Sequence, residues 1–159
     1  MIAPLQLAAI GKSITEARGV PMQAVLDCLV PESAVCVGAD LFEEIWRELT
    51  TWGDVSFVVH TLDGFFESEG AIVPGEFGHG YFNVHGDSPV GGHFRMDRCQ
   101  SIYFVDRPSF GTRTCSVQFV NRDGGVMFKI YVGYNKDHTL KADQVERFEA
   151  LCGKYRAAA

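Results

Sequence analysis

The chain has 159 residues, a length that predicts one domain whose core needs no disulfides or metals to hold it together. Hydrophobic residues make up 47% of it and charged residues 21%, which excludes an intrinsically disordered protein. Lys and Arg number 14 against 20 Asp and Glu, so the net charge is −6, and Lys and Arg form no runs. We therefore expect no nucleic-acid partner.

Cysteine usage and the first residues indicate where the protein works. The five cysteines form no C-x-x-C pair, and their number is odd, which predicts reduced, mostly buried thiols of a cytosolic protein. The apolar stretch over residues 1–10 lacks a positively charged start and is too short to span a bilayer. We expect a cytoplasmic protein without membrane insertion.

The first 52 residues are predicted to be helical, with helices over residues 13–17, 21–29 and 40–50. The third pattern places Leu41, Ile45 and Leu49 on one face and charged residues on the other. The first two predicted helices, on either side of Gly19, have the spacing of a DNA-binding helix-turn-helix. The second helix offers only Gln23 to read bases, so we interpret the pair as a helical hairpin that packs on a sheet.

From Val55 the hydrophobic period changes from the helical spacing to strict alternation, which predicts strands. The predicted strands cover residues 55–60, 64–69, 80–85, 92–97, 100–106, 113–121 and 125–133. The stretch Asn-Arg-Asp-Gly-Gly over residues 121–125 is a strong hairpin signal, and turn residues at 74–75, 86–89 and 108–109 predict loops. Connections this short favour antiparallel pairing.

The sequence therefore predicts an α+β fold in a single domain over residues 1–159. It comprises short N-terminal helices (1–52), a large antiparallel sheet of about seven to nine strands (53–134) and a C-terminal helix (139–156) with Thr139 as its cap. The helices are expected to cover one face of the sheet.

The alternation also sorts side chains between two faces of the predicted sheet. One face is apolar, as in Val55, Phe57 and Val59, and is expected to be the core. The second face carries four of the five histidines together with tyrosines and cations: His60, His79, His85, His93, Tyr81, Tyr131, Arg95 and Lys129. Such side chains suit a large flat ligand or a partner subunit, although half-exposed His and Tyr are also ordinary on a solvated sheet.

Haem is one ligand that this second face suits. The sequence lacks Gly-x-Ser-x-Gly, H-E-x-x-H and C-x-x-C-H, so hydrolase, zinc-protease and covalent haem motifs are absent. A dissociable haem needs an iron ligand, usually His or sometimes Tyr, and cations for its propionates. His60, His93 and Tyr81 are the candidate ligands, and Arg95 and Lys129 the candidate propionate partners. Spacing alone leaves haem, zinc and no ligand open.

Four short motifs occur along the chain: W-G-D-V at 52–55, V-H-T at 59–61, G-H-G-Y-F-N-V at 78–84 and G-G-H at 91–93. Together they resemble the intracellular haem-utilisation carriers of the ChuX/HutX type, and the similarity extends over nearly the whole chain. The resemblance implies a fold that is half of the tandem HemS/ChuS haem proteins, and a homodimer that mimics the tandem form. In it, His60 and His93 match the histidines linked to haem, and Tyr81 matches a tyrosine that some members use for iron.

The resemblance implies a non-enzymatic bacterial protein that carries haem as its cargo. It would bind haem reversibly in the cytosol, between haem-uptake and haem-processing proteins. Which of the three candidates holds the iron stays open. Two alternatives remain: an enzyme that degrades haem or modifies a tetrapyrrole, and a dimerising module that binds no ligand.

Overall fold

A computed structural model describes residues 19–61 and 63–158 of the chain. These residues form three α-helices: α1 (Met22–Asp27), α2 (Phe42–Leu49) and α3 (Ala142–Ala157). They also form nine strands: β1 (Ala34–Gly38), β2 (Asp54–Thr61), β3 (Gly64–Ala71), β4 (Gly75–Gly78), β5 (Tyr81–Val84), β6 (Gly92–Phe94), β7 (Cys99–Ser109), β8 (Thr112–Asn121) and β9 (Val126–Tyr131). The predicted α+β class is confirmed, whereas the helix predicted over residues 13–17 lies outside the described residues.

The larger sheet has six antiparallel strands in the order β1-β7-β8-β9-β2-β3. Two consecutive hairpins build its centre, because β7 pairs with β8 and β8 pairs with β9. The turn predicted at residues 121–125 makes the second hairpin, where Asn121 Oδ1 accepts hydrogen bonds from the N–H groups of Asp123 and Gly125. β2 then joins β9 through the pairs from Ser56↔Tyr131 to Val58↔Lys129, which places the β2–β3 pair at one edge.

The other three strands form a separate sheet in the order β4-β5-β6, so the strands predicted for the large antiparallel sheet are divided six and three. The chain leaves the large sheet after β3, where Pro74 has no N–H to continue a ladder. Trp46 Nε1 on α2 donates a hydrogen bond to the carbonyl of Val73 at this exit, 3.1 Å away. The small sheet (β4, β5 and β6) therefore packs over the large one instead of extending it.

The main core lies between the two sheets and helices α2 and α3. Alternation turns Phe119 and Phe128 of the large sheet inward, and their rings stack with centroids 4.5 Å apart. From the small sheet, Phe82 points into the same core, 4.8 Å from Phe42 and 5.3 Å from Trp46 between ring centroids. This aromatic cluster fixes the small sheet against the rest of the molecule.

Helix α1 covers the opposite face of the large sheet. Leu26 and Leu29 pack there against Tyr103, Val105 and Val120, a second buried cluster separate from the main core. The packing predicted for residues 21–29 is confirmed, but the helices occupy both faces of the large sheet instead of one. A chain with β-strands apolar on both sides needs a cover on each face.

Three local predictions were wrong at element boundaries. The stretch Ala34–Gly38 was expected within the helical part but forms an edge strand. A loop was expected at residues 74–75 and no strand between residue 69 and residue 80, whereas Gly75–Gly78 forms β4. Helix α3 begins after Lys141 instead of Thr139, whose hydroxyl donates to Asp137 Oδ1 at 2.6 Å. Thr139 therefore belongs to the preceding turn and does not cap the helix.

The five cysteines are free, in agreement with the prediction of reduced thiols. Burial raises the pKa of Cys99 and Cys152 to about 11 and that of Cys115 to about 12. These three side chains therefore stay protonated at neutral pH and act as packing residues.

Gln144 ties α3 to the large sheet, so we predict that the substitution Gln144→Leu destabilises the fold. Its side chain is 1% exposed, accepts from the N–H of Gly133 (2.8 Å) and donates to the carbonyls of Trp52 (2.8 Å) and Asp54 (2.9 Å). Leucine would leave buried backbone groups unpaired, at a cost of about 2–4 kcal/mol in the free energy of unfolding. Urea denaturation should show this loss, with the exposed Glu146→Leu as control; a loss below about 0.5 kcal/mol, the range of surface substitutions, would contradict the prediction.

Candidate functional site

The small sheet has an inner face in the core and an outer face that carries polar side chains. Alternation along β5 turns Phe82 and Val84 inward, and both are buried. Gly75 on β4 makes room for this packing, because a Cβ atom there would lie 2.5 Å from the Phe82 ring. Tyr81 and Asn83 consequently point outward, as the sequence predicts.

A tight turn joins β4 to β5 at the edge of this outer face. Gly78 pairs with Tyr81, so only His79 and Gly80 form the loop, and both have positive φ angles (53° and 82°). This is the geometry of a two-residue hairpin turn whose twist matches that of the strands. Gly80 adopts it without strain, and His79 is a residue type found there more often than most. The turn presents His79 beside Tyr81.

His93 of β6 lies on the outer face next to other aromatic rings. Its register partner is Asn83, and the Nδ1 atom of His93 lies 2.7 Å from Asn83 Oδ1. The His85 ring is 4.9 Å from the His93 ring, and the Tyr81 ring is 6.1 Å away, measured between centroids. Two of the three candidate iron ligands, Tyr81 and His93, therefore lie side by side.

Arg95 follows β6 and reaches back over Tyr81. Its guanidinium lies 5.8 Å from the centroid of the Tyr81 ring, within the range of a cation–π contact. Asp97 holds it by two hydrogen bonds of 2.8 Å and 2.7 Å. Arg95 in turn lowers the pKa of Asp97. The ion pair is therefore complete at neutral pH and is lost only in acid, as the pH falls through that lowered pKa.

An open cavity of about 630 Å³ is lined by Tyr81 and Arg95, whereas His93 adjoins Tyr81 without lining it. It is bordered by the turn and its flanks (residues 77–81) and by residues 95–97. Phe77 is 55% exposed and Tyr81 40% exposed, so the cavity has aromatic walls as well as the charged Arg95–Asp97 pair. Its size falls within the range of small-molecule and cofactor pockets, about 300–1,000 Å³.

His60 and Lys129 do not join this group, so the expectation of a single polar face is wrong. His60 lies on β2 and Lys129 on β9, both in the large sheet, on the face that alternates away from Phe57 and Phe128 in the main core. The Nε2 atom of His60 is buried without a hydrogen-bond partner, and its ring contacts Phe65 with centroids 5.7 Å apart. The two outward faces belong to different sheets.

The sequence analysis did not predict two site residues of the outer face, Asn83 and Asp97. Asn83 was placed on the same face as Tyr81, and because asparagine is uncommon inside strands, its presence there could have indicated a functional role. Asp97 was expected at the end of a strand, whereas it lies in a short 3₁₀ turn over residues 96–98. His138, by contrast, is exposed before α3, as predicted.

The outer face carries side chains that could contact a haem-like ligand. Among residues 19–61 and 63–158, no three His, Cys, Asp or Glu side chains approach closely enough to hold a bare metal ion. Tyr81 and His93 can supply one or two axial ligands, which is what a haem iron requires. The aromatic side chains can contact a flat ring, and Arg95 can contact a carboxylate.

Comparisons with known proteins identify the family and the fold of this chain. The family model described as haem utilisation ChuX/HutX matches residues 35–151. The intracellular heme transport protein HutX of Vibrio cholerae is 27% identical over 80% of this chain, and the match covers 66% of that protein. A solved structure from Agrobacterium tumefaciens is 41% identical, with a TM-score of 0.86 over 94% of this chain and 89% of the other. The heme-binding protein ChuX is 29% identical, with a TM-score of 0.83 over 91% and 90% of the two chains.

Longer haem proteins share the fold. The heme-binding protein PhuS of Pseudomonas aeruginosa matches with a TM-score of 0.72 at 14% identity, over 89% of this chain but only 41% of PhuS. The predicted half-unit relation is therefore confirmed for the fold. None of the helices in the described part of the chain is long and apolar enough to cross a membrane. With 117 of its 159 residues inside the matched range, the chain belongs to the ChuX/HutX haem-utilisation family.

Proposed function

We propose that this protein is a cytosolic haem carrier that binds haem reversibly on the outer face of the small sheet. The observation that carries the proposal is the open cavity of about 630 Å³ beside Tyr81 and Arg95, in a chain of a haem-utilisation family. The names of HutX, an intracellular heme transport protein, and ChuX, a heme-binding protein, support both the ligand and the location. The carrier receives haem from uptake proteins and passes it to haem-processing proteins.

The chemistry of the outer face fits loading and release. Tyr81 Oη or His93 Nε2 binds the iron, while the ring of Tyr81 and the exposed Phe77 give the porphyrin apolar contacts. A single iron ligand in an open cavity releases haem more readily than a closed site with two. The open side also leaves room for a ligand from an acceptor protein during transfer.

The direct test is a titration of the purified protein with haemin, followed by absorbance. A saturable shift of the Soret band with one haem per chain is expected. The control is a protein of similar charge that has no haem site, because haemin also adsorbs nonspecifically to exposed apolar surfaces. A shift that never saturates, as expected for that control, would overturn the proposal.

Asp97 competes with the haem propionates for Arg95, so we predict that Asp97→Asn strengthens haem binding. The substitution removes one negative charge beside the cavity and loosens the two hydrogen bonds that hold the guanidinium. Exposed ion pairs contribute little, so the affinity for haem should rise only about two- to fivefold. The matched control is Asp123→Asn, which removes the partner of Arg98 instead. Unchanged or weaker binding in Asp97→Asn would argue against a propionate at Arg95.

The carrier is not an enzyme in this proposal, and the alternative of haem degradation has its own test. The longer protein ChuS has this fold and is named a heme-degrading enzyme in one solved structure and a heme oxygenase in another, at 11% and 12% identity to this chain, a level that concerns the fold only. Bound haemin should survive incubation with a reductant and oxygen in the presence of catalase. Rapid stoichiometric loss of the Soret band with release of iron would favour the enzyme.

A homodimer completes the proposal. This chain matches less than half of the length of PhuS and of ChuS, so two copies together have about the length of one such protein. Edge strand β3 carries Phe65 and Phe66, which are 59% and 71% exposed, and such apolar side chains favour contact with a second chain. Light scattering should give twice the mass of one chain. A dimer that takes up no haemin would favour the ligand-free module.

A further inference from the structure

Asn83 lies at the centre of a hydrogen-bond network on the outer face of the small sheet. Its Nδ2 atom faces three backbone carbonyl oxygens, those of Gly78 (3.1 Å), Glu76 (3.3 Å) and Tyr81 (3.4 Å). A carbonyl oxygen accepts hydrogen bonds and never donates, so the side of the amide that faces these three oxygens has to be the NH₂ group. The Oδ1 atom is therefore the one that faces His93.

The orientation of this amide determines which nitrogen of His93 carries the proton. Asn83 Oδ1 lies 2.7 Å from His93 Nδ1 and can only accept, so Nδ1 has to donate. In a neutral imidazole the proton on one nitrogen leaves a lone pair on the other. The Nε2 atom of His93 is thus the free acceptor, on a ring whose residue is exposed beside Tyr81.

We infer that Asn83 is a positioning residue for haem: it holds His93 in the Nδ1–H tautomer and so presents Nε2 to the iron. This inference rests on the proposed haem site at the small sheet. Histidines that bind metals generally donate their other N–H to a carbonyl or carboxylate that orients the ring. Asn83 supplies that acceptor from the neighbouring strand, directly opposite His93 in the register of β5 and β6.

The three hydrogen bonds to backbone carbonyls also give Asn83 a structural role in the β4–β5 hairpin. Two variants separate the roles. Asn83→Ala removes both the acceptor for His93 and the donors to the hairpin. Asn83→Asp keeps an acceptor for His93 but places a carboxylate oxygen against the carbonyls, so a purely structural role predicts that Asp is at least as harmful as Ala. A positioning role predicts that Asp retains the tautomer and Ala loses it.

The first readout is the tautomer itself, measured without haem. Nitrogen-15 NMR of histidine-labelled protein in alkaline buffer, where the rings are neutral, distinguishes protonated from unprotonated ring nitrogens. We expect a protonated Nδ1 and an unprotonated Nε2 for His93 in the wild type and in Asn83→Asp, and a mixture of both tautomers in Asn83→Ala. The exposed His138 serves as an internal reference that should not change. A wild-type His93 protonated at Nε2, or a tautomer unaffected by Asn83→Ala, would overturn the inference.

The second readout is the affinity for haemin. Loss of a group that orients a metal ligand typically costs about 10- to 100-fold in affinity, and we expect the low end, about 10-fold, for Asn83→Ala because Tyr81 remains beside the iron. Asn83→Asp should stay within about fivefold of the wild type. Equal losses in Asp and Ala would contradict the inference and leave a structural role. If the wild type bound no haemin, the proposed function would fail, while the NMR result would still decide the tautomer.

Discussion

Replacing Tyr81 by Phe and His93 by Leu in one chain should lower the affinity for haem by about 100-fold, or about 2.7 kcal/mol, the largest functional effect expected of any pair of substitutions. The two side chains are the candidate iron ligands on the outer face, with ring centroids 6.1 Å apart. Each single change should cost less than the double change, because the remaining residue can still reach the iron. Haemin titrations of the three variants measure the effect.

Two further histidine variants give that experiment its controls. His138→Leu changes an exposed histidine next to α3, remote in sequence from the cavity, and should bind haemin like the wild type. His60→Leu tests the prediction, made from the family motif, that His60 is an iron ligand. Since His60 lies on the large sheet with a buried Nε2 atom, its loss should weaken binding less than the loss of His93. A larger loss of affinity for His60→Leu than for His93→Leu would indicate that the iron binds at the large sheet.

Phe82→Ala should cause the largest loss of stability, about 3–5 kcal/mol in the free energy of unfolding. The ring is 3% exposed and meets Phe42 at 4.8 Å, Phe77 at 5.0 Å and Trp46 at 5.3 Å between centroids. Its removal leaves a cavity at the point where the small sheet rests on the core. Haem binding should fall as well, because the strand that carries Tyr81 loses its support.

The neighbouring Phe77→Ala is the matched control for this stability experiment. Phe77 contacts the same cluster but is 55% exposed, so its truncation removes less buried area and should cost about 1 kcal/mol. Urea denaturation of both variants gives the comparison. Equal losses would mean that Phe82 does not anchor the small sheet as described.

The sequence predicts strands well where alternation is strict and long. The predicted strands 55–60 and 113–121 correspond to Asp54–Thr61 and Thr112–Asn121. The five residues of Ala34–Gly38 were missed because the run Ala-Val-Cys-Val-Gly has no charged or strongly polar residue, so its sequence shows no alternation even though Val35 and Val37 face the main core. Gly75–Gly78 was missed because a four-residue strand with two glycines resembles a turn. Strand patterns also do not reveal which strands share a sheet, so the division into two sheets was not predicted.

The candidate site could be predicted only in part for the same physical reason. Alternation within a strand places Tyr81 on an outward face, and the structure confirms that His93 lies beside it. Whether His60 and Lys129 share that face depends on which strands pair, a property of contacts distant in sequence. The hydrogen bond of Asn83 to His93 depends on the register of β5 and β6 in the same way.

The most direct test of haem binding on the outer face is to locate bound haemin by its paramagnetic effect on backbone NMR signals. Ferric haem broadens the signals of nearby amides, and residues are compared with and without one equivalent of haemin. Binding on the outer face predicts that amides of residues 78–85 and 92–97 lose intensity, whereas those of Met22–Asp27, beyond the large sheet, keep it. Loss of the α1 signals with an unaffected small sheet would contradict binding on the outer face and would place the haem on the face of the large sheet that carries His60 and Lys129.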